Sequence, residues 1–159
     1  MKWLFVTLSL LACVAFSAVR MSPVKQYRRT YEDSLQAQRD KYLNEIRKAI
    51  AGKENDLVDS VFHNLKVLGG FPAANLLLAM NSWSRALGVG CQHCHDPRDW
   101  SLDSKPEKEI ARQMSLMSTK INTDFLAKIK GLKSDRPIIN CTSCHNGKLK
   151  PALKIIDEH

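Results

Sequence analysis

The sequence predicts a mainly α-helical fold with little or no sheet, and three observations predict it. Apolar residues recur at helical spacing through several stretches. Glycine or proline marks where these stretches stop. A two-part unit, an amphipathic stretch followed by a turn and a Cys-x-x-Cys-His frame, is written twice. With 159 residues and 44% hydrophobic content, the chain is long enough for one domain with a real core and short for two.

From about Thr30 to Ala51 helix formers dominate. Tyr31, Leu35, Tyr42, Ile46 and Ile50 mark an interrupted apolar stripe, and Gly52 closes a surface helix. The following DLVDSVFHNLKVLGGFP fits a helical turn and a short extended piece equally well, and both readings stay open. Pro72 opens a clearer helix, AANLLLAMNSWSRAL, with Leu76, Met80, Trp83 and Leu87 on one face before Gly88 and Gly90 stop it. Ser104-Lys105-Pro106-Glu107 has the form of a capping box. Behind it Ile110, Met114, Met117, Ile121, Phe125 and Ile129 form the stripe of a long helix that Gly131 and Pro137 end.

Met1 and Lys2 precede WLFVTLSLLACVAFSAV, a run without a charge until Arg20. Such a run is an export signal. Cleavage near Ser17 or Ala18, lipidation of Cys13 in a lipobox-like Leu-Leu-Ala-Cys, and retention as a membrane anchor are three readings that all place the remainder in the periplasm or elsewhere outside the cytoplasm. The expected division is a signal or anchor over 1–18, an N-terminal helical segment over 19–59 and a domain carrying both Cys-x-x-Cys-His frames over 60–159. The formal charge of +8 favours acidic partners or anionic membrane surfaces. Nucleic acid is excluded as a partner, because the chain is exported and its basic residues are interleaved with acids.

The duplicated frame is CQHCH at 91–95 and CTSCH at 141–145. On a helical turn, cysteines at i and i+3 and a histidine at i+4 converge on one face. Two thiols so placed can bond the two vinyl groups of one haem while the imidazole reaches its iron. Cys91, Cys94, Cys141 and Cys144 are thus the candidate covalent attachments of two haems c, with His95 and His145 as proximal ligands. A four-thiolate zinc site and a disulfide within each pair are the alternatives; neither explains a histidine after both pairs. His93 is read as an exposed residue of the variable part of the motif. Met80, on the helix leading into the first motif, can supply a thioether to the first iron, as can Met114 or Met117 to the second, although a methionine in a helical stripe is usually core filling.

The stretches MNSWSRALGVGCQHCH, KPEKEIARQMSLMSTKIN and CTSCHNGKLKP resemble one half of the tetrahaem cytochrome c subunit of photosynthetic reaction centres and the smaller dihaem cytochromes related to it, over roughly residues 60 to 151. The resemblance implies a small helical multihaem cytochrome c domain, Met80 as sixth ligand of the first haem, and Met114, after Ala111-Arg112-Gln113, as sixth ligand of the second. It also leaves His63 or His159 as reserve ligands of the second haem. Two motifs stand where that subunit has four, so a photosynthetic role does not follow from the likeness.

An iron held by histidine and methionine has no open position for a small ligand, and such a site passes electrons. The expectation is therefore an electron carrier rather than an enzyme, working between redox partner proteins. The rival is a dihaem peroxidase-like enzyme or small-ligand sensor with one five-coordinate iron. Lys128, Lys130 and Lys133 ahead of the second motif, with Lys148, Lys150 and Lys154 after it, mark a basic rim suited to an acidic or membrane-associated partner.

Overall fold

The computed structural model describes residues 22–152. Over that range the fold is helical, and strand pairing is limited to two isolated bridges, Leu57 with Pro72 and Asp96 with Asp99. Cys13, Lys154 and His159 lie outside the described residues.

Helix α1, Pro23–Ala49, starts earlier than the apolar stripe suggests. Ser22 caps it by accepting from the Lys25 N–H at 3.4 Å, and Pro23 occupies the first turn, where its missing N–H costs nothing. Its C-terminal half carries the buried face. Leu43 and Ile50 pack with Ala73 and Leu77 in one cluster, flanked by Ile46, Val61 and Phe62.

The ambiguous stretch after α1 forms a single short helix, α2, Val58–Val61, followed by irregular chain. The turn between α1 and α2 caps helix α3, Ala73–Leu87. The α3 N-cap is Pro72, which offers no side-chain acceptor, so the free N–H groups of Ala73 and Ala74 donate instead to the carbonyls of Asp56 and Glu54 at 2.9 and 3.0 Å. Gly88 ends α3 in the left-handed region, φ 65°.

Helix α4, Pro106–Lys120, departs from expectation in three ways. The anticipated capping box does not form. Pro106 takes the first helical position, which makes Lys105 the N-cap and leaves Ser104 one residue outside. The helix also ends at Lys120, followed by a widened π turn over Ile121–Phe125 and a short 3₁₀ turn over Leu126–Lys128. Within the π turn the Asn122 amide pairs with the backbone of Ile139, donating to its carbonyl and accepting from its N–H, both at 2.8 Å. Finally, the apolar stripe is not core. Ile110, Met114, Met117, Phe125 and Ile129 are exposed, whereas the buried side chains of α4 are Lys108 and Arg112.

Helix α5, Cys141–His145, is the second motif itself. Asn140 caps it by accepting from the Thr142 and Ser143 N–H groups, while the Ser143 hydroxyl accepts from the Asn140 N–H. Between Gln113 and Ala152 no residue is buried. This part of the chain is held by backbone and cap hydrogen bonds and by docking on α3, without a protein core of its own.

Candidate functional site

The first motif opens as a 3₁₀ turn, Cys91–His93, with the His95 N–H bonded to the Cys91 carbonyl at 3.1 Å. Arg39 on α1 donates to the Val89 carbonyl at 3.1 Å, the Gln92 amide donates to the Tyr42 hydroxyl, and Lys105 donates to the Gln92 carbonyl. These contacts fix the motif against α1 and the start of α4. Cys91, Cys94, His95 and Met80 all line one cavity of about 500 Å³, walled by aliphatic side chains of α1 and α3. That volume lies within the ~300–1,000 Å³ typical of cofactor pockets.

The imidazole of His95 is oriented by its Nδ1, 3.2 Å from the Trp100 carbonyl oxygen. A carbonyl only accepts, so Nδ1 carries the proton and Nε2 keeps its lone pair for a metal. Burial pushes the His95 pKa down. The hydrogen bond to Trp100 opposes this, and the charges of Lys108, Arg112 and Lys105 add to the lowering. The ring is thus held neutral, as ligation requires. Burial likewise pushes the Cys91 and Cys94 thiols up. The Trp100 ring meets Tyr42 edge-on at 5.2 Å and lies 5.6 Å from the His95 ring.

The second motif repeats the same device. His145 Nδ1 lies 3.1 Å from the Lys148 carbonyl oxygen, which again frees Nε2. Cys141 is partly buried, and this burial raises its pKa; Cys144 is exposed. Gly147, just after the motif, donates its N–H to the Ala86 carbonyl at 2.8 Å. The two motifs therefore meet at the C-terminal end of α3. All four described cysteines are free thiols, and among the described residues no three His, Cys, Asp or Glu side chains form a metal-binding cluster. The convergence that a four-thiolate zinc site needs is not present in this arrangement.

A family model for the photosynthetic reaction centre cytochrome C subunit matches residues 18–155. The chain belongs to that family. It is 33% identical over 84 residues to cytochrome c-554 of Chloroflexus aurantiacus, covering 52% of this chain and 20% of that protein. To the reaction center cytochrome c subunit of Rubrivivax gelatinosus it is 30% identical over 105 residues, 64% of this chain and 27% of the other. The corresponding subunit of Thermochromatium tepidum gives 23% over 128 residues, 70% and 30%. The chain thus spans between a fifth and a third of the length of these relatives.

In this member of the reaction-centre cytochrome family, the fold brings Met80, Cys91, Cys94 and His95 to one cavity wall. His63, the expected reserve ligand of the second haem, lines the same cavity as the first motif. His93 is partly buried and is not on that wall. Met114 and Met117 remain 45% and 49% exposed. Met114 precedes Ser118 and Asn122 by four and eight residues, and both of these bond the Ile139 carbonyl just ahead of Cys141. Sequence reasoning missed Trp100, Lys108 and Arg112. A lysine and an arginine spaced i, i+4 opposite an apolar stripe read as a solvated helix face, and only their partners reveal otherwise.

Proposed function

We propose that this chain is an exported dihaem c-type cytochrome that carries electrons between redox partner proteins. The observation that carries this reading is the shared cavity. Two thiols, a thioether and an imidazole whose Nδ1 is already committed to a carbonyl all border one apolar space of about 500 Å³. The thiols suit the vinyl groups of a haem, the imidazole and thioether its iron, and the apolar walls its macrocycle. Cys91 and Cys94 would hold the first haem, with His95 and Met80 on its iron; Cys141 and Cys144 would hold the second, with His145 and Met114. When bound, each haem supplies a reversible one-electron couple.

What the chain contributes is ligation, burial and proximity. For the second site, support comes from the exposed row Ile110, Met114, Met117, Phe125 and Ile129 beside a segment with no buried residue. Apolar surface of that extent calls for a cover, and a haem on Cys141 and Cys144 provides one. The bond from Gly147 to Ala86 keeps the two sites adjacent, as an electron path requires. In this reading residues 60–159 form the haem domain, 19–59 brace it, and 1–18 direct export to the periplasm or tether the chain there. Among the described residues no helix is long and apolar enough to cross a membrane.

A reduced-minus-oxidised absorption spectrum with and without carbon monoxide tests the proposal. Sharp bands from two haems that ignore carbon monoxide are expected. Rapid carbon monoxide binding at one haem points instead to the peroxidase-like or sensor reading, and no haem absorption rejects both. The exposed Lys128, Lys130, Lys133, Lys148 and Lys150 form the proposed docking rim for an acidic partner. Electron transfer should slow as salt rises, and rates indifferent to ionic strength would remove the rim from the account.

A further inference from the structure

His95 and Lys108 converge on one oxygen. The Trp100 carbonyl accepts from His95 Nδ1 at 3.2 Å and from the Lys108 ammonium at 3.1 Å. Lys108 also donates to the carbonyls of Ser101 and Leu102, both at 2.8 Å, so with Asp103 the three protons of this buried ammonium face four acceptors in the loop after the motif. The placement is firmly built. Asp103 lies 3.2 Å from Lys108, and it also serves Arg112 at 2.9 Å and Lys66 at 2.8 Å, so this carboxylate is shared among three cations. With Glu109 paired to Arg112 at 3.0 Å, three cations face two anions beside the motif.

Two donors on one carbonyl oxygen compete for its electron density. An ammonium is the stronger donor, so the imidazole is left with the weaker bond. A proximal histidine whose Nδ1–H is strongly bonded gains basicity and favours ferric iron; weakening that bond, or placing a positive charge nearby, favours ferrous iron. At the second motif the Lys148 carbonyl, which accepts from His145, takes no such charged donor among the described residues. We propose that Lys108 is a positioning residue that raises the reduction potential of the first haem by sharing the Trp100 carbonyl oxygen with His95. The inference rests on the reading of Cys91, Cys94 and His95 as the first haem site.

A potentiometric titration of the full-length holoprotein, followed optically, tests this with Lys108→Met and Lys108→Arg beside the wild type. Haem content is measured first, since a chain without haem on the first motif refutes the site assignment itself. With haem present, Lys108→Met should lower one midpoint and leave the other in place. The expected change is about tenfold in that couple's equilibrium, ~59 mV for one electron, and Lys108→Arg should restore most of it. A purely structural lysine predicts the opposite sign, because a disordered loop frees His95 from its carbonyl and the midpoint rises. A rise, an unmoved midpoint, or an arginine variant that falls as far as the methionine variant overturns the role of Lys108 while the haem site stands. If Lys108→Met does not fold, proton NMR of the reduced wild type decides. The Nδ1 proton of His95 should resonate upfield of that of His145, and coincident or reversed positions reject the proposal.

Discussion

Gly88 and Gly147 touch backbone to backbone: a β-carbon built on Gly88 would stand 2.1 Å from the Gly147 carbonyl oxygen. Gly88 ends the helix that delivers the first motif, and Gly147 follows the second. The contact admits no side chain, and the φ of 65° at Gly88 also disfavours one. The arrangement of the two motifs hangs on this point.

Gly88→Ala should therefore destabilise the holoprotein more than Gly52→Ala does. Both positions have positive φ, which costs an L-residue about 1–2 kcal/mol, but a β-carbon at Gly52 meets nothing within 4 Å. Chemical denaturation of the two variants measures the difference. Equal losses would mean that the contact between the motifs carries no weight.

Asn122→Ala removes both bonds to Ile139. The expected cost is about 1–3 kcal/mol, concentrated on the segment before Cys141. Hydrogen exchange should quicken over 139–145 and stay unchanged in α1 and α3.

Asp103 is held far below the usual carboxylate range, chiefly by hydrogen bonds from Arg112, then Lys66 and Asn64. Its folded pKa is depressed, so its contribution is fully present above the unfolded value near 3.9 and is lost as pH falls toward the folded one. Asp103→Asn should thus be less stable than the wild type at neutral pH. The gap should hold down to about pH 4 and narrow only below it. Urea midpoints across that range show whether it does.

The methionines separate by ligand exchange. Met80→Ala should open one haem to carbon monoxide, Met114→Ala the other, and Met117→Ala neither. About half of the haem absorbance should respond in each of the first two variants, since one of two like chromophores opens. A response to Met117→Ala would move the second ligand by one turn.

The helices were legible where a periodic face meets protein. Of the α3 stripe Leu76 is buried while Met80, Trp83 and Leu87 are partly buried and line the cavity, and Gly88 stops that helix where the sequence places the stop. Legibility failed where a periodic apolar face has no protein cover among the described residues. The row Ile110, Met114 and Met117 has the period of a core face yet is exposed, while Lys108 and Arg112 are buried because Asp103 and loop carbonyls satisfy them. Periodicity reports which face is apolar, not what covers it. The spacing of the thiols and histidines marks them as candidates, but the carbonyls that orient the rings belong to Trp100 and Lys148, and no side-chain identity announces a backbone acceptor.

The most direct measurement is the intact mass of the purified, denatured protein. Covalent attachment survives denaturation, so the expected mass is that of the mature polypeptide plus two haems. A mass with one haem or none contradicts it.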